Sequence, residues 1–249
     1  MCERIALEVR DDGIAIMRMQ DVERKNVFAD DFLNEMVETF EKAEKLRPKV
    51  MIFCGLPEVF SAGAEKKNLM DLCDGKVHVK DLVISEKLVH SPFPVIAAME
   101  GHAVGGGLVM AACCDMVIGA RESRYGVVFM GLGFTPGMGC TKLLQGLVGN
   151  QIANEMMFTA KRFRGSELAG MNVNFNYILP RAEVMPKAMS IAMQIAEKNI
   201  DSIYLLKYAL SAEKKKLLIE ARVQEDFMHR LSFGFPETRR MIEEFYAGG

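Results

Sequence analysis

Three consecutive glycines, Gly105 to Gly107, constrain the fold of this chain more than any other stretch. They follow the apolar run Val95–Met99, which is typical of a buried strand, and they precede an apolar run at 108–113 that is typical of a helix. The first N–H groups of a helix have no acceptor within it, so a helix start stabilises negative charge. The same glycines also suit a tight turn without a ligand. They match neither the dinucleotide motif Gly-x-Gly-x-x-Gly nor the Walker motif.

A second glycine turn favours a ligand-binding site. Residues 59–64 (VFSAGA) follow another apolar strand, Val50–Cys54, and precede a polar run that begins at Glu65 and has helical character. Two strand-to-helix turns, each with a backbone N–H, can form an oxyanion hole with two donors. Such a site stabilises the enolate that forms from a thioester carbonyl.

These two stretches together resemble the crotonase (enoyl-CoA hydratase/isomerase) superfamily. The superfamily motif Phe-Ser/Cys-Ala-Gly-Ala-Asp is matched from Phe60, with Glu65 at the aspartate position, and the later motif Ala-x-x-Gly-x-Ala-x-Gly-Gly-Gly is matched from Ala98. Cys114-Asp115 and the loop at 135–139 also fit the superfamily. The resemblance extends over nearly the whole chain.

Alternating strands and helices followed by a helical tail predict an α/β fold. The resemblance adds a crotonase-type ββα spiral core at residues 1–195 and a C-terminal helical region at 196–249. It implies that this region covers the pocket and forms a homotrimer, or a dimer of trimers. It also implies no metal and no redox cofactor, because the phosphopantetheine or coenzyme A arm belongs to the substrate.

Local patterns predict the individual elements. A β-hairpin is expected for 4–9 and 14–19, because Asp-Gly lies between two alternating runs. Further strands are predicted at 116–120, 125–129 and 173–179. Helical spacing predicts helices at 29–46, 65–72, 81–90, 140–147, 151–158, 166–170, 186–197, 201–210, 212–230 and 236–246.

Composition excludes several classes of function. A net charge of −2 gives no electrostatic basis for binding nucleic acid. The sequence has no apolar run as long as a membrane span and no secretory signal pattern at its N-terminus. The cysteines form no Cys-x-x-Cys motif or Cys/His cluster, which predicts reduced thiols in a cytoplasmic protein and no metal site.

The chain departs from the hydratases of the superfamily at two positions. Those enzymes carry glutamates where this chain has Val109 and Phe129, as the resemblance implies. An apolar side chain neither transfers a proton nor holds a water molecule. We therefore expect Val109 and Phe129 to belong to a dry substrate pocket, in which an enolate forms without water. Decarboxylation is one such reaction.

The resemblance implies that Ala64 and Gly106 supply the two oxyanion donors through their backbone N–H groups. A decarboxylase also needs an acid and a cation that places the leaving carboxylate. Residues 228–237 resemble the decarboxylating branch of the superfamily found in polyketide β-branching cassettes, and this resemblance makes His229 the acid. Lys80 is the first candidate for the cation.

Two further residues are candidates for the same pocket. Lys67 is the second candidate for the cation, because it also follows the first glycine turn. His78 shares with Lys80 the segment that the resemblance places over the acyl pocket.

The resulting hypothesis is decarboxylation of a 3-methylglutaconyl thioester on an acyl carrier protein, which gives a 3-methylcrotonyl thioester. Two alternatives stay open. An enoyl thioester isomerase or hydratase would act on the same class of thioester. A non-catalytic acyl-thioester binding module would keep the fold for trimer formation or for docking a carrier protein.

Overall fold

The computed structural model describes residues 3–77 and 83–247. Its strands are β1 (Ile5–Val9), β2 (Ile14–Met19), β3 (Val27–Phe28), β4 (Val50–Cys54), β5 (Val59–Ser61), β6 (Gly63–Ala64), β7 (Val95–Met99), β8 (His102–Val104), β9 (Met116–Ala120), β10 (Arg124–Gly126), β11 (Arg162–Arg164) and β12 (Tyr177–Leu179). Its helices are α1 (Asp30–Leu46), α2 (Lys66–Cys73), α3 (Ile84–His90), α4 (Gly106–Cys113), α5 (Cys140–Val148), α6 (Asn150–Thr159), α7 (Gly165–Gly170), α8 (Arg181–Ala196), α9 (Ile200–Ser232) and α10 (Pro236–Ala247).

A spiral of strand pairs builds the core. The first strand of each pair β4/β5, β7/β8 and β9/β10 joins a large sheet, and the second strand joins a smaller one. In the described residues the large sheet has the order β1-β2-β4-β7-β9-β12, and it is parallel apart from the β1–β2 hairpin. The smaller sheet has the order β11-β10-β8-β5. This repeat is the predicted ββα spiral.

Both faces of the large sheet are covered by helices, which explains why its central strands are apolar throughout. Met51 and Phe53 of β4 enter one apolar cluster, which includes Phe40 of α1. The alternate residue Ile52 enters a second cluster with Ala188 of α8. A parallel strand buried on both faces needs apolar residues at every position.

Most of the predicted elements are confirmed. The hairpin, the strands at 50–54, 95–99 and 116–120, and the helix at 29–46 lie within one residue of the predicted bounds. The predicted strand at 125–129 is shorter, because β10 ends at Gly126 and the chain then enters a short 3-10 helix at Met130–Leu132.

Three helical predictions were wrong in their bounds. The segments 201–210 and 212–230 form the single helix α9 of 33 residues, because Ser211 is compatible with a helix and donates its hydroxyl proton to the Tyr208 carbonyl. Helix α8 begins at Arg181 rather than at Pro186. Its first turns pack Val184 into the apolar cluster beneath the large sheet, and this burial outweighs the unfavourable proline within the helix.

Helix α9 presents charged side chains to the protein interior. Lys207 is 4% exposed, and its ammonium group contacts both carboxylate oxygens of Asp115 at 2.6 and 2.8 Å. Lys214 donates to the carbonyl oxygen of Ala112 at 3.2 Å, at the C-terminal end of α4. The helix therefore binds the spiral core through polar contacts in addition to apolar side chains such as Leu218. Within the described ranges, no helix is long and apolar enough to span a membrane.

Candidate active site

The two glycine turns, at 62–64 and 105–107, meet at the start of α4. A Cβ atom on Gly63 would lie 3.0 Å from the carbonyl oxygen of Val104 and 4.0 Å from the Cα of Gly105. A Cβ atom on Gly107 would lie 2.9 Å from both the Cβ and the carbonyl oxygen of Ser61. Gly63 and Gly105 also have φ angles of 91° and 58°, which favour glycine. Glycine therefore lets the two backbone segments approach each other directly.

The two predicted donor residues share one cavity. Ala64 and Gly106 both line a cavity of about 320 Å³. Gly106 is the first residue of α4, so its N–H has no acceptor within the helix. A Cβ atom on Gly106 would overlap the ring of Phe28 and would lie 2.9 Å from the Sδ of Met138, and both of these side chains line the cavity. The donor turns thus face a mainly apolar cavity.

Aromatic rings form a continuous wall of this cavity. The Phe134 and Phe233 rings stack with their centroids 4.5 Å apart, and the Phe129 centroid lies 5.8 Å from that of Phe134. On the other side, the His229 centroid lies 5.5 Å from that of Phe233. All four side chains line the cavity. The wall therefore connects Phe129, which the resemblance places at a hydratase glutamate position, with the candidate acid.

His229 carries one bonded and one unbonded ring nitrogen. Its Nε2 lies 2.8 Å from the carbonyl oxygen of Thr135, which can only accept, so Nε2 carries a proton. The buried Nδ1 has no hydrogen-bond partner among residues 3–77 and 83–247. Burial lowers the pKa of His229, while the backbone contacts of Thr135 and Pro136 and the charge of Asp226 partly oppose this shift. Nδ1 is therefore the atom at which His229 can gain or lose a proton.

The loop that holds the His229 partner is itself fixed by α9. Ser232 accepts from the Thr135 N–H at 3.3 Å. Glu225, which is 2% exposed, accepts from the N–H groups of Gly139 at 2.7 Å and Thr141 at 2.9 Å, at the start of α5. Burial raises the pKa of the Glu225 carboxyl, and its three hydrogen bonds to Gly139 and Thr141 oppose that shift. His229 and the loop are therefore held by neighbouring turns of one helix.

Sequence reasoning missed several residues that line or support the cavity. Glu225 and Ser232 were not predicted, although their helical spacing from His229 places all three on one face of α9. Phe28 and Asn68 also line the cavity, and the Asn68 amide donates to the Phe28 carbonyl at 2.7 Å. No sequence signal marked them, because the position of Phe28 depends on the pairing of the two-residue strands β3 and β6, and Asn68 of α2 reaches the cavity through its contact with Phe28.

Other candidate residues occupy different surroundings. Val109 is completely buried in the main apolar cluster, and it is not among the described residues that line the cavity. The Lys67 ammonium group is exposed and pairs with Asp30 at 3.3 Å and with Asp71 at 3.0 Å. This pairing leaves Lys67 less suited to binding a substrate carboxylate.

Lys80 and His78 lie outside the described residues. The described residues on either side, Val77 and Val83, both line the cavity. Among the groups of His, Cys, Asp and Glu that the structure describes, none is arranged to hold a metal ion.

Comparison with known proteins assigns the chain to a family. Residues 9–245 match the enoyl-CoA hydratase/isomerase family, so the chain belongs to this family of enzymes. The bacillaene synthase decarboxylase PksI of Bacillus subtilis (strain 168) is 34% identical over 237 residues, which cover 95% of each chain.

Two solved structures of similar proteins agree with this assignment. One comes from a dehydratase/decarboxylase enzyme couple involved in polyketide β-branching, and it matches with a TM-score of 0.94 and 34% identity over 98% of this chain and 96% of that one. The other is the ECH2 decarboxylase domain of CurF from Lyngbya majuscula, with a TM-score of 0.89 and 30% identity over 98% of this chain and all of that domain (100%). These similarities show the crotonase fold and support a decarboxylase role.

We expect Gly106→Ala to weaken the binding and turnover of an acyl thioester. Its new methyl group would displace Phe28 and Met138 and shift the start of α4. A displacement of this kind at a reacting centre lowers the rate by about a hundredfold. Calorimetric titration and a turnover assay measure the two effects.

The matched control is Gly146→Ala in α5, where an added Cβ atom meets nothing within 4 Å. That change is expected to leave binding intact and to stabilise the helix by roughly 0.5–1 kcal/mol. Normal binding and turnover by Gly106→Ala would show that the thioester carbonyl lies elsewhere.

Proposed function

We propose that this chain decarboxylates a 3-methylglutaconyl thioester on an acyl carrier protein and releases a 3-methylcrotonyl thioester. One observation carries the proposal. A single apolar cavity is lined by Ala64, Gly106 and a buried histidine, His229, whose Nδ1 has no partner among the described residues. The decarboxylases that match nearly all of the chain support the same class of reaction.

The thioester carbonyl acts as the electron sink, and the two backbone donors stabilise the charge that it gains. The thioester oxygen accepts hydrogen bonds from the N–H groups of Ala64 and Gly106. The bond between the γ-carbon and the carboxylate carbon breaks, CO₂ leaves, and the electron pair passes through the double bond into the thioester carbonyl. The resulting dienolate carries its charge on the oxygen that the two donors hold. Fixed donors in an apolar cavity stabilise such charge far more strongly than water does.

His229 then supplies the proton that completes the reaction. Its protonated Nδ1 delivers a proton to the γ-carbon, while Nε2 keeps its hydrogen bond to Thr135. Burial favours the neutral imidazole that remains, and this preference assists the transfer. Before the transfer, the negative substrate carboxylate favours the protonated form in the complex.

Lys80 places the leaving carboxylate in this proposal, and His78 is a further pocket residue. Val77 and Val83 both line the cavity, which supports a role for the segment that connects them. The ammonium group of Lys67 is already paired with two carboxylates, so Lys67 ranks second. The mechanism uses backbone N–H groups, an imidazole and an ammonium group, and it requires no metal or redox cofactor.

We also propose that the chain forms a homotrimer, or a dimer of trimers, through its C-terminal helices. Several large apolar side chains of α9 are more than half exposed, and burial against a second copy would remove them from water. They are Leu205, Leu206, Tyr208, Leu210, Ile219, Val223, Phe227 and Leu231.

Mass spectrometry of 3-methylglutaconyl carrier protein incubated with the chain tests the reaction directly. Loss of the mass of CO₂ is expected. Addition of water would identify a hydratase instead. An unchanged mass would refute decarboxylation, and a moved double bond in that product would identify an isomerase.

We expect His229→Gln to slow decarboxylation by about a hundredfold or more, the usual contribution of a positioned acid. Thioester binding is expected to persist, because the oxyanion donors are unchanged. His90→Gln is the control, because His90 is an exposed residue of α3 whose ring contacts only the Glu86 carbonyl among the described hydrogen bonds. A full rate in His229→Gln would remove this residue from the mechanism.

The pH profile should identify the acid. Only the protonated form of His229 can donate, so kcat/KM is expected to fall as the pH rises. Burial lowers the pKa of His229, so the midpoint is expected below the ordinary histidine value of about 6.5. The midpoint for kcat is expected at a higher pH, because the bound carboxylate favours protonation. Persistence of the same profile in His229→Gln would assign it to another group.

We expect Lys80→Ala to raise the KM for the carboxylated substrate roughly tenfold or more, because a charge-assisted hydrogen bond is lost. Its affinity for the decarboxylated product is expected to stay unchanged, and competition by the 3-methylcrotonyl thioester measures this. Lys67→Ala is the matched control. An effect confined to Lys67→Ala would transfer the role to Lys67.

A further inference from the structure

Tyr246 connects the last turn of α10 to the first glycine turn. Its hydroxyl donates a hydrogen bond to the carbonyl oxygen of Ala64 at 2.7 Å. Ala64 carries one of the two backbone donors of the proposed site. The bond joins residues that are 182 positions apart in the chain. It connects α10 directly to Ala64.

The geometry of the strand relates this carbonyl to the donor. Ala64 belongs to β6 and pairs with Phe28 of β3. In an extended strand, the N–H and C=O groups of one residue point to the same side. A hydroxyl that fixes the direction of the Ala64 carbonyl therefore also restricts the direction of its N–H. The preceding residue, Gly63, has a φ of 91° and is intrinsically permissive, so the turn alone holds this direction weakly.

The surroundings of Tyr246 hold its hydroxyl in place. Its ring packs at the edge of an apolar cluster that contains Leu69, Phe134 and Phe233, and all three of these residues also line the cavity. An ion pair between Arg239 and Asp74 joins α10 to the end of α2. Burial raises the pKa of Tyr246, so the hydroxyl keeps its proton and remains a donor at neutral pH.

We propose that Tyr246 is a positioning residue that aims the Ala64 N–H into the oxyanion hole. This proposal rests on the proposed function. A correctly aimed donor strengthens as negative charge develops on the thioester oxygen. Loss of the hydroxyl should therefore lower kcat and leave KM nearly unchanged.

The chain contains a matched control for the loss of a tyrosine hydroxyl. Tyr204 of α9 donates to the carbonyl oxygen of Pro48 at 2.9 Å, and neither residue is among the described residues that line the cavity. Tyr204→Phe and Tyr246→Phe each keep an aromatic ring and remove one hydroxyl–carbonyl hydrogen bond. A purely structural role predicts similar losses of thermal stability and no difference in kcat.

The experiment compares the unaltered chain with both variants. It measures Tm, kcat and KM for decarboxylation, and it includes two unreactive probes. Acetoacetyl-pantetheine reports on charge stabilisation, because its enolate absorbs in the ultraviolet and its bound enolate fraction follows the strength of the oxyanion hole. A thioether analogue without the carbonyl oxygen reports on the remaining contacts in the cavity.

Tyr246→Phe is expected to lower kcat about tenfold and to lower the enolate-to-neutral ratio of bound acetoacetyl-pantetheine by a similar factor, because one misdirected donor weakens the hole. Its affinity for the thioether and its Tm should match those of Tyr204→Phe. An unchanged kcat and enolate ratio, an equal kcat loss in Tyr204→Phe, or failure of Tyr246→Phe to fold would overturn the proposal.

The two proposals fail in different ways. If the unaltered chain releases no CO₂, the proposed function fails. The enolate ratio of bound acetoacetyl-pantetheine then still tests Tyr246, because that measurement requires no turnover.

Discussion

The direct approach of two backbone segments underlies the whole site. Ser61, at the end of β5, lies so close to Gly107 of α4 that no side chain fits between them. This approach joins two successive turns of the spiral and brings Ala64 and Gly106 to one cavity. Helix α4 is completely buried, its N-terminus faces the cavity, and Lys214 donates to carbonyl groups at its C-terminus. The positive end of the helix dipole is therefore directed at the place where a thioester oxygen would gain charge.

Helix α9 connects the stability of the core with the chemistry of the cavity. Its residues Lys214, Glu225 and His229 share one buried face and contact three different parts of the molecule. Lys214 binds the end of α4, Glu225 binds the start of α5, and His229 reaches the cavity. Because these contacts use backbone groups of the core as partners, a shift of α9 would move the imidazole and loosen two helix ends together. The candidate acid is thus held in position by these polar contacts together with the apolar packing of α9 residues such as Leu218.

The sequence predicted the parts of the fold that depend on local pattern or on the two glycine motifs. Strand β7 was marked by a continuous apolar run and the hairpin by alternation, and the resemblance that includes the motif around Ala64 implied the spiral. Strands β3 and β6 contain two residues each, so tertiary contacts rather than periodicity define them. The Tyr246 contact with Ala64 spans 182 positions, and no local rule predicts such a pairing. Glu225 was detectable in principle, since a buried face rich in polar residues is unusual for a helix.

The burial of His229 creates an apparent conflict in the proposed chemistry, and the charge of the substrate resolves it. A buried imidazole prefers to be neutral, yet the reaction needs a protonated acid. In the proposed reaction the substrate itself supplies the missing charge, because its carboxylate would enter the same apolar cavity and favour the imidazolium. Loss of CO₂ removes that carboxylate, and the charge moves to a thioester oxygen that two backbone donors hold. The imidazolium then has less stabilisation than before and gives up its proton readily. In this proposal, a thioester without the carboxylate would not favour protonation of His229, so burial of the imidazole would add to selectivity for carboxylated substrates.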